Sequence, residues 1–287
     1  MPQTPPRHNN PSMKPARKPV KPKWAVERDR ARRSGAGPET IWLFGLHAVR
    51  DALVNPRRQR HRLIVTPNAA AKLAEAIAAA GIEPEIADPR KFTAPLDPQS
   101  VHQGAALETE PLNWGGLDVL CAPTRAHPAP VLVLLDRVTD PHNAGAILRS
   151  AEVFGARAVI APRHHSAPET GALAKSASGA LERQPYLKVR NLGDAMQELA
   201  RMGYLLIGLD GTAEAELGPA IAAAAGQPIG LVLGSEGVGL RQRTRGLCSA
   251  LARISAASEF GSLNVSNAAA VALYAASNSA NNAKNPN

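Results

Sequence analysis

The chain has 287 residues, 44% of them apolar, which is material for one large or two ordinary domains with a sizeable core. Aromatic residues make up only 3%, so that core must be built from Ala, Val, Leu and Ile. Its two cysteines, Cys121 and Cys248, lie far apart with no Cys-x-x-Cys spacing, which excludes a disulfide framework and a cysteine-based zinc site and suits a reduced, cytoplasmic protein. No apolar run approaches a membrane span and no signal-peptide core opens the chain, so a soluble protein is expected.

The net charge of +9 is unevenly placed. Residues 1–37 carry ten Lys or Arg, from Arg7 to Arg33, against Glu27 and Asp29, which is +8 of the total. The same stretch has seven prolines and almost no apolar pattern, so burial cannot offset the entropy of ordering it. A disordered basic arm over 1–38 is expected. Such an arm either attracts phosphates in a salt-sensitive, sequence-indifferent way or serves as a solubilising tail.

Ordered structure is expected from residue 39. Ile41 to Phe44 reads as a short strand, and Leu46, Val49 and Leu53 then recur at helical spacing. Arg62 to Val65 reads as a strand, Ala69 to Ala80 as an alanine-rich helix ended by Gly81, and Glu83 to Ile86 as a strand. After His102-Gln103-Gly104, Ala105 to Leu107 completes a small α/β domain over 39–112. A Pro-, Gly- and Trp-bearing linker follows over 113–129.

The second domain, over 130–279, opens with the apolar run Val131 to Leu135 and Asp136. Thr139-Asp140-Pro141-His142-Asn143 supplies N-caps for a helix whose apolar face is Ile147, Leu148, Ala151 and Phe154, with Arg149 pointing elsewhere. Strands at Ala158 to Ile160, Leu187 to Val189 and Tyr204 to Leu209 alternate with helices at Pro168 to Leu181, Leu192 to Met202 and Ala213 to Ala225. That alternation predicts a parallel sheet covered on both faces. The apolar run Ile229 to Leu233 then breaks at Gly234-Ser235-Glu236-Gly237-Val238-Gly239, a basic helical segment follows, and Leu251 to Ile254 forms another strand. A polar loop delivers Ser262-Leu263-Asn264-Val265-Ser266 into a closing small-residue helix, and 280–287 is expected to be a disordered tail. Two strand ends thus bring glycine loops and small polar side chains to one sheet edge, where open α/β sheets bind ligands.

The glycine loop alone decides little. Its order, Gly-x-x-Gly-x-Gly, is not the dinucleotide order, and no Gly-Lys-Ser/Thr follows for a P-loop. His142 has no partner at a catalytic spacing, and the His164-His165 pair has no further ligand at helical spacing, so both are read as surface or hydrogen-bonding histidines and no metal is expected. Neither a nucleophile elbow nor a His-Glu-x-x-His motif is present.

In combination the motifs are specific. Asp140-Pro141-His142-Asn143-Ala144-Gly145-Ala146-Ile147-Leu148-Arg149, then Leu233-Gly234-Ser235-Glu236-Gly237, then Ser262-Leu263-Asn264-Val265-Ser266 resemble the three ordered motifs of the SpoU/TrmH branch of SPOUT RNA methyltransferases. Lys175 to Glu182 is similar to the family too, and the resemblance covers Val131 to Ser277. Gly45-Leu46-His47-Ala48-Val49 and His102-Gln103-Gly104 resemble the small ribosomal-protein-like substrate-binding domain of the RlmB branch.

The resemblance implies a catalytic domain with a deep trefoil knot, one of the rare exceptions to unknotted folding. It implies S-adenosyl-L-methionine as cofactor, a homodimer, and methylation of a ribose 2′-hydroxyl in structured RNA, most closely a guanosine of 23S rRNA. By position, Leu233, Gly234, Ser235, Gly237, Ile254 and Leu263 would hold the cofactor, and Asn143, Arg149, Glu236, Ser262 and Asn264 would form the catalytic set. A guanidinium is almost never neutral, so Arg149 is read first as a phosphate and orienting group rather than a base. The chain departs from the family's common Pro-Met after Ile254, having Ser255 and Ala256, which makes contacts around the methionine moiety less defined. A tRNA ribose methyltransferase is the nearest enzymatic alternative, and a catalytically silent RNA-binding ribosome-assembly factor is the alternative of another class. A Rossmann oxidoreductase is disfavoured by the glycine order.

If the arm is an electrostatic RNA contact, deleting residues 1–37 will weaken RNA binding and flatten its salt dependence. A salt titration with unchanged affinity and slope would show a solubilising tail instead.

Overall fold

The computed structural model describes residues 40–97, 100–255 and 263–284. The basic arm, Ser262 of the third motif and the last three residues of the expected tail lie outside the described residues. Two sheets organise the rest. The first has four strands in the order β1-β4-β2-β3, where β1 is Ile41–Phe44, β2 Arg60–Val65, β3 Pro84–Ile86 and β4 Ala105–Thr109. β4 runs antiparallel to both β1 and β2, while β3 is parallel to β2. Helix α1, Leu46–Val54, buries Val49 and Leu53 of the expected face together with Ala48 and Ala52, while Leu46 is half-buried.

The expected single helix over 69–80 is two. α2, Pro67–Lys72, starts from an N-cap at Thr66 with proline in its first turn. α3, Ala74–Ala80, ends on Gly81 in the left-handed conformation. The break falls at Leu73, which is buried in the core. A run of alanines has uniform helix propensity, so nothing in the local pattern marks that break.

The second sheet has six parallel strands in the order β10-β8-β9-β5-β6-β7. These are β5 Val131–Asp136, β6 Ala158–Pro162, β7 Tyr186–Val189, β8 Leu205–Leu209, β9 Ile229–Gly234 and β10 Ala250–Ala252. Along β5, Val133 and Leu135 enter one apolar cluster and Leu132 and Leu134 enter another, so the sheet is buried on both faces. The chain builds outward from β5 through β6 to β7, then crosses to β8 and returns to place β9 beside β5. The β5–β9 seam is therefore a topological switch point, the place where an open parallel sheet forms a ligand crevice.

The helices of this half are α4 Leu117–Leu120, α5 Pro141–Val153, α6 Gly171–Ala177, α7 Leu192–Arg201, α8 Leu217–Ala223, α9 Gln242–Gly246 and α10 Val265–Lys284. α6 is shorter than the helix expected over 168–181, because Ser178 and Gly179 turn left-handed and a 3₁₀ turn, Ala180–Glu182, follows. α8 begins four residues after the expected Ala213, because the Asp210 carboxylate accepts from the backbone and hydroxyl of Thr212 and holds a turn there. The boundary expected at 279 falls inside α10.

The small domain is locked onto the sheet domain by a buried ionic cluster. The Arg58 side chain is 0% exposed; its Nη1 lies 2.7 Å from Glu169 Oε1 and its Nη2 2.8 Å from Glu182 Oε1. Arg58 Nε donates to Glu182 Oε2 at 2.9 Å, and Asn55 Nδ2 donates to the same oxygen at 2.8 Å. Burial works against the Arg58 charge, but its bonds to Glu182 and the charges of both glutamates outweigh it and hold the guanidinium above its ordinary value. Gly171 belongs to the same junction: a Cβ there would lie 2.1 Å from the Phe44 ring and 2.9 Å from the Trp42 carbonyl, so only glycine lets α6 begin against β1.

Arg58→Ala strands two carboxylates in a dry junction and is expected to cost about 3–5 kcal/mol. Replacing all three charges (Arg58→Met, Glu169→Gln, Glu182→Gln) will cost much less, and urea unfolding of the two variants measures the difference.

Candidate active site

The site forms where β5 and β9 end. Asp136, the last residue of β5, pairs in register with Gly234, the last of β9. The Asp136 side chain is wholly buried and accepts 2.7 Å from Arg241 Nε and 3.1 Å from the Arg241 backbone amide. This contact ties the far end of the glycine loop to the end of the central strand. Just beyond, Asp140 caps α5 by accepting from the His142 amide at 3.0 Å, with Pro141 in the first turn. That start of the helix places Asn143 inward and buries it.

The glycine loop folds tightly on itself. Ser235 and Gly239 bridge antiparallel, the Gly239 amide donates to the Ser235 carbonyl at 2.9 Å, and Val238 N donates to Glu236 O at 3.0 Å. A Cβ on Gly234 would sit 2.1 Å from the Gly239 carbonyl carbon, so no side chain fits there. Gly237 and Gly239 take φ of 78° and 71°, with open space where a Cβ would project. The loop therefore lifts Glu236 out of the sheet edge on a bare backbone.

Three side chains from the three motifs then meet. Asn143 Nδ2 donates to Glu236 Oε1 at 3.0 Å. Asn264 Nδ2 donates to Asn143 Oδ1 at 3.0 Å and to Glu236 Oε1 at 2.5 Å. The Asn264 Oδ1 in turn accepts from the Ser266 amide at 2.8 Å and the Ser266 hydroxyl at 2.5 Å, which fixes the amide's orientation at the start of α10. Both amides converge on one carboxylate oxygen, so Glu236 Oε2 makes no hydrogen bond among the described residues.

Arg149 is not part of this triangle. It lies six residues beyond Asn143 on α5, about 9 Å along the axis and roughly a third of a turn around it. It is exposed and makes no hydrogen bond or ion pair among the described residues. Of the expected cofactor residues, Leu233 is buried, Gly234, Ser235 and Ile254 are half-buried, and Gly237 and Leu263 are exposed. Gly234 ends β9, and Ile254, expected as the last residue of a strand, lies two residues beyond β10 on the same sheet edge, with β8 between β9 and β10.

Asp136, which closes the apolar run Val131 to Leu135, and Arg241 join the site residues expected from the motifs. Ser176, within the stretch Lys175 to Glu182, has its hydroxyl 2.9 Å from His142 Nδ1. Gly145 of the first motif serves packing: a Cβ there would meet Ser176 Cβ at 2.5 Å and the Leu173 carbonyl at 2.7 Å, so it lets α5 and α6 touch. Among the described residues no three His, Cys, Asp or Glu side chains form a metal-binding group, and no helix is long and apolar enough to cross a membrane. Burial pushes the Cys121 thiol up to about 12 and the Cys248 thiol up to about 11, so neither is a nucleophile at neutral pH.

Comparison with known proteins bears on both domains. Residues 130–274 match the SpoU rRNA Methylase family, and residues 42–115 match the RNA 2′-O ribose methyltransferase substrate binding family. The 23S rRNA (guanosine-2′-O-)-methyltransferase RlmB of Pseudomonas syringae pv. tomato is 36% identical over 248 residues, covering 82% of this chain and 94% of that protein. The protein of the same name from Ralstonia nicotianae is 38% identical over 239 residues, with the same coverage of each chain. Among solved structures, the SpoU methyltransferase AviRb from Streptomyces viridochromogenes in complex with AdoMet superposes with a TM-score of 0.70 at 26% identity, covering 88% of this chain and 92% of that one.

Asn143→Asp puts a second carboxylate against Glu236 and removes the donor between them. The variant is expected to lose about 1.5–3 kcal/mol of stability. Adding Glu236→Gln restores a donor and an acceptor with their places exchanged, so a double-mutant cycle followed by urea unfolding will show recovery of most of that loss. Additive losses would mean the triangle is not a coupled unit.

Proposed function

The chain belongs to the SpoU rRNA methylase family, and we propose that it methylates a ribose 2′-hydroxyl, that of a guanosine in 23S rRNA, from S-adenosylmethionine. The observation that carries this reading is the hydrogen-bonded triangle of Asn143, Glu236 and Asn264 at the β5–β9 crevice. Relatives named for that reaction match this chain across both domains.

The residues at the strand ends fit a cofactor recognised mainly through backbone. Gly234 admits no side chain, Gly237 and Gly239 leave the loop bare, and Ile254 and Leu263 offer apolar surface at the same edge. Leu233 and Ser235 flank that edge. When bound, the cofactor supplies an already electrophilic methyl group on a sulfonium. The protein's task is then to align the ribose oxygen and accommodate its proton.

In this reading the triangle is the orienting frame. Asn143 and Asn264 spend their donors on Glu236 Oε1 and leave Oε2 to accept a hydrogen bond from the ribose or from a second protomer. Arg149, exposed and unpaired among the described residues, holds a phosphate next to the target nucleotide as a permanent cation. Ser262 supplies a hydroxyl from the same motif as Asn264. The small domain over 39–112 captures structured RNA, the stretch over 113–129 joins it to the catalytic domain over 130–279, and a trefoil knot after β9 gathers the cofactor loops.

A homodimer would cover exposed apolar side chains on the elements that build the triangle: Val238 in the glycine loop is 82% exposed, and Val153 and Tyr274, farther along α5 and α10, are 69% and 57% exposed. An enzyme acting on ribosomal RNA would work in the cytoplasm.

The test is transfer of labelled methyl from S-adenosylmethionine to separated rRNA and tRNA from a strain lacking the protein, with Arg149→Ala in parallel. Label in 23S rRNA as an alkali-resistant 2′-O-methyl dinucleotide is expected. Arg149→Ala will cut transfer about a hundredfold or more while cofactor affinity stays within a few-fold. Label in tRNA alone would overturn the substrate. Absence of cofactor binding would leave a silent RNA-binding protein.

A further inference from the structure

A cleft of about 170 Å³ opens on the same sheet edge but on the other side of β5, lined by Arg137, His164, His165, Arg190, Arg241 and Arg243. Each element that ends there delivers a cation or an imidazole. Arg137 follows β5, the histidine pair follows β6, Arg190 follows β7, and Arg241 and Arg243 come from the segment beyond the glycine loop. Two of the four guanidiniums are already engaged: Arg241 with the buried Asp136, and Arg243 with Asp194 at 3.3 Å. Arg137 and Arg190 are exposed and make no ion pair among the described residues, so the cleft keeps a surplus of two positive charges.

The walls are held in place without a ligand. The Ala167 amide donates to the Val138 carbonyl, and Lys188 Nζ donates to Ser166 Oγ at 2.7 Å and to the Ala167 carbonyl at 2.6 Å. Those bonds pin the histidine loop between β5 and β7. Arg137 and His165 both take left-handed backbone, φ 63° and 59°, a conformation costly for residues with a side chain. The amino end of α7 contributes little, since Asn191 Oδ1 already accepts from Gly193 N at 2.8 Å. The attraction for an anion therefore comes from the arginines.

Size narrows the occupant. Pockets for drug-sized ligands run from about 300 Å³ upward, so this cleft takes a single phosphate group rather than a whole nucleotide. Planar guanidinium forks suit that group. Its position adds a second argument: the segment from Asp136 to Asn143 and the segment from Ser235 to Arg241 each run from the triangle to the cleft wall.

We propose that this cleft binds a phosphodiester of the RNA strand beyond the target nucleotide, anchoring the substrate on the catalytic domain itself. The proposal rests on the methyltransferase reading above. The same chemistry would also attract free inorganic phosphate, and the experiment separates the two.

The test compares wild type with Arg137→Asn/Arg190→Gln and with Arg137→Lys/Arg190→Lys. Binding of protein-free 23S rRNA is followed by anisotropy across a salt titration, alongside methyl-transfer kinetics. The neutral pair is expected to weaken RNA binding about tenfold and to flatten the salt slope by about 0.7–0.9 for each phosphate no longer neutralised. It will raise the RNA KM with kcat and cofactor affinity unchanged, and the lysine pair will keep most of the salt slope. If wild type binds and methylates while the neutral pair matches it in affinity and slope, the cleft proposal fails. It fails also if the substitutions abolish inorganic phosphate binding without moving the RNA affinity. Absence of methyl transfer by wild type would instead refute the enzymatic reading, and the anisotropy comparison still decides the cleft.

Discussion

A buried carboxylate at the end of the central strand sets the geometry of everything around it. Asp136 has no exposed surface, so its charge must be met inside the protein, and Arg241 meets it with both its side chain and its backbone amide. The partner comes from the far side of the glycine loop. The pair therefore clamps the return of that loop against β5, while in-register pairing of Asp136 with Gly234 clamps its start. With both ends held, the tip carrying Glu236 is set opposite the start of α5. Asn143, seven residues beyond Asp136, reaches it from the other side.

That clamp explains why two different surfaces share one edge. Toward β9 the edge presents a bare backbone and a neutral-donor frame around one carboxylate. Toward β6 and β7 it presents guanidiniums and imidazoles. A reaction whose donor is already activated demands orientation more than strong acid–base groups, which suits the first surface. A polyanionic substrate needs charge at a distance from the reacting oxygen, which suits the second. The Arg58 cluster extends the rigid frame to the small domain, because its charges are dry and both its glutamates lie in the sheet domain.

Much of this was legible in the residues, and the limits have physical causes. The parallel sheet followed from apolar runs of three to six residues spaced by helical patterns, and β5, β6, β8 and β9 all lie where those runs do. The spacing on α5 identified its buried face, and the motif resemblance singled out Asn143, Glu236 and Asn264, which the fold brings into contact. Pattern reading failed where local propensity is flat or where a single turn decides, as at Leu73 in an alanine run and at Ser178-Gly179 after α6. It also failed for long-range charge pairing. Arg58 and Glu182 are 124 residues apart, and neither stands out among neighbours of the same type. Arg137, Arg190 and the His164-His165 pair share that blindness: in the sequence they are scattered surface residues, and only the strand order makes them neighbours.

The contrast between Arg149 and the triangle follows from helical geometry. Residues six apart on a helix cannot share a face, so a motif that contains both Asn143 and Arg149 must point them at different things. Asn143 turns inward to the crevice frame and Arg149 outward, where nothing in the described chain neutralises it. Keeping a guanidinium charged in water costs little, whereas burying it beside Glu236 would have formed an ion pair and consumed the carboxylate that the two asparagines now hold. Holding the arginine off the triangle leaves one carboxylate oxygen at the crevice and one exposed cation farther along α5; in the proposed reaction these would serve the ribose hydroxyl and its neighbouring phosphate.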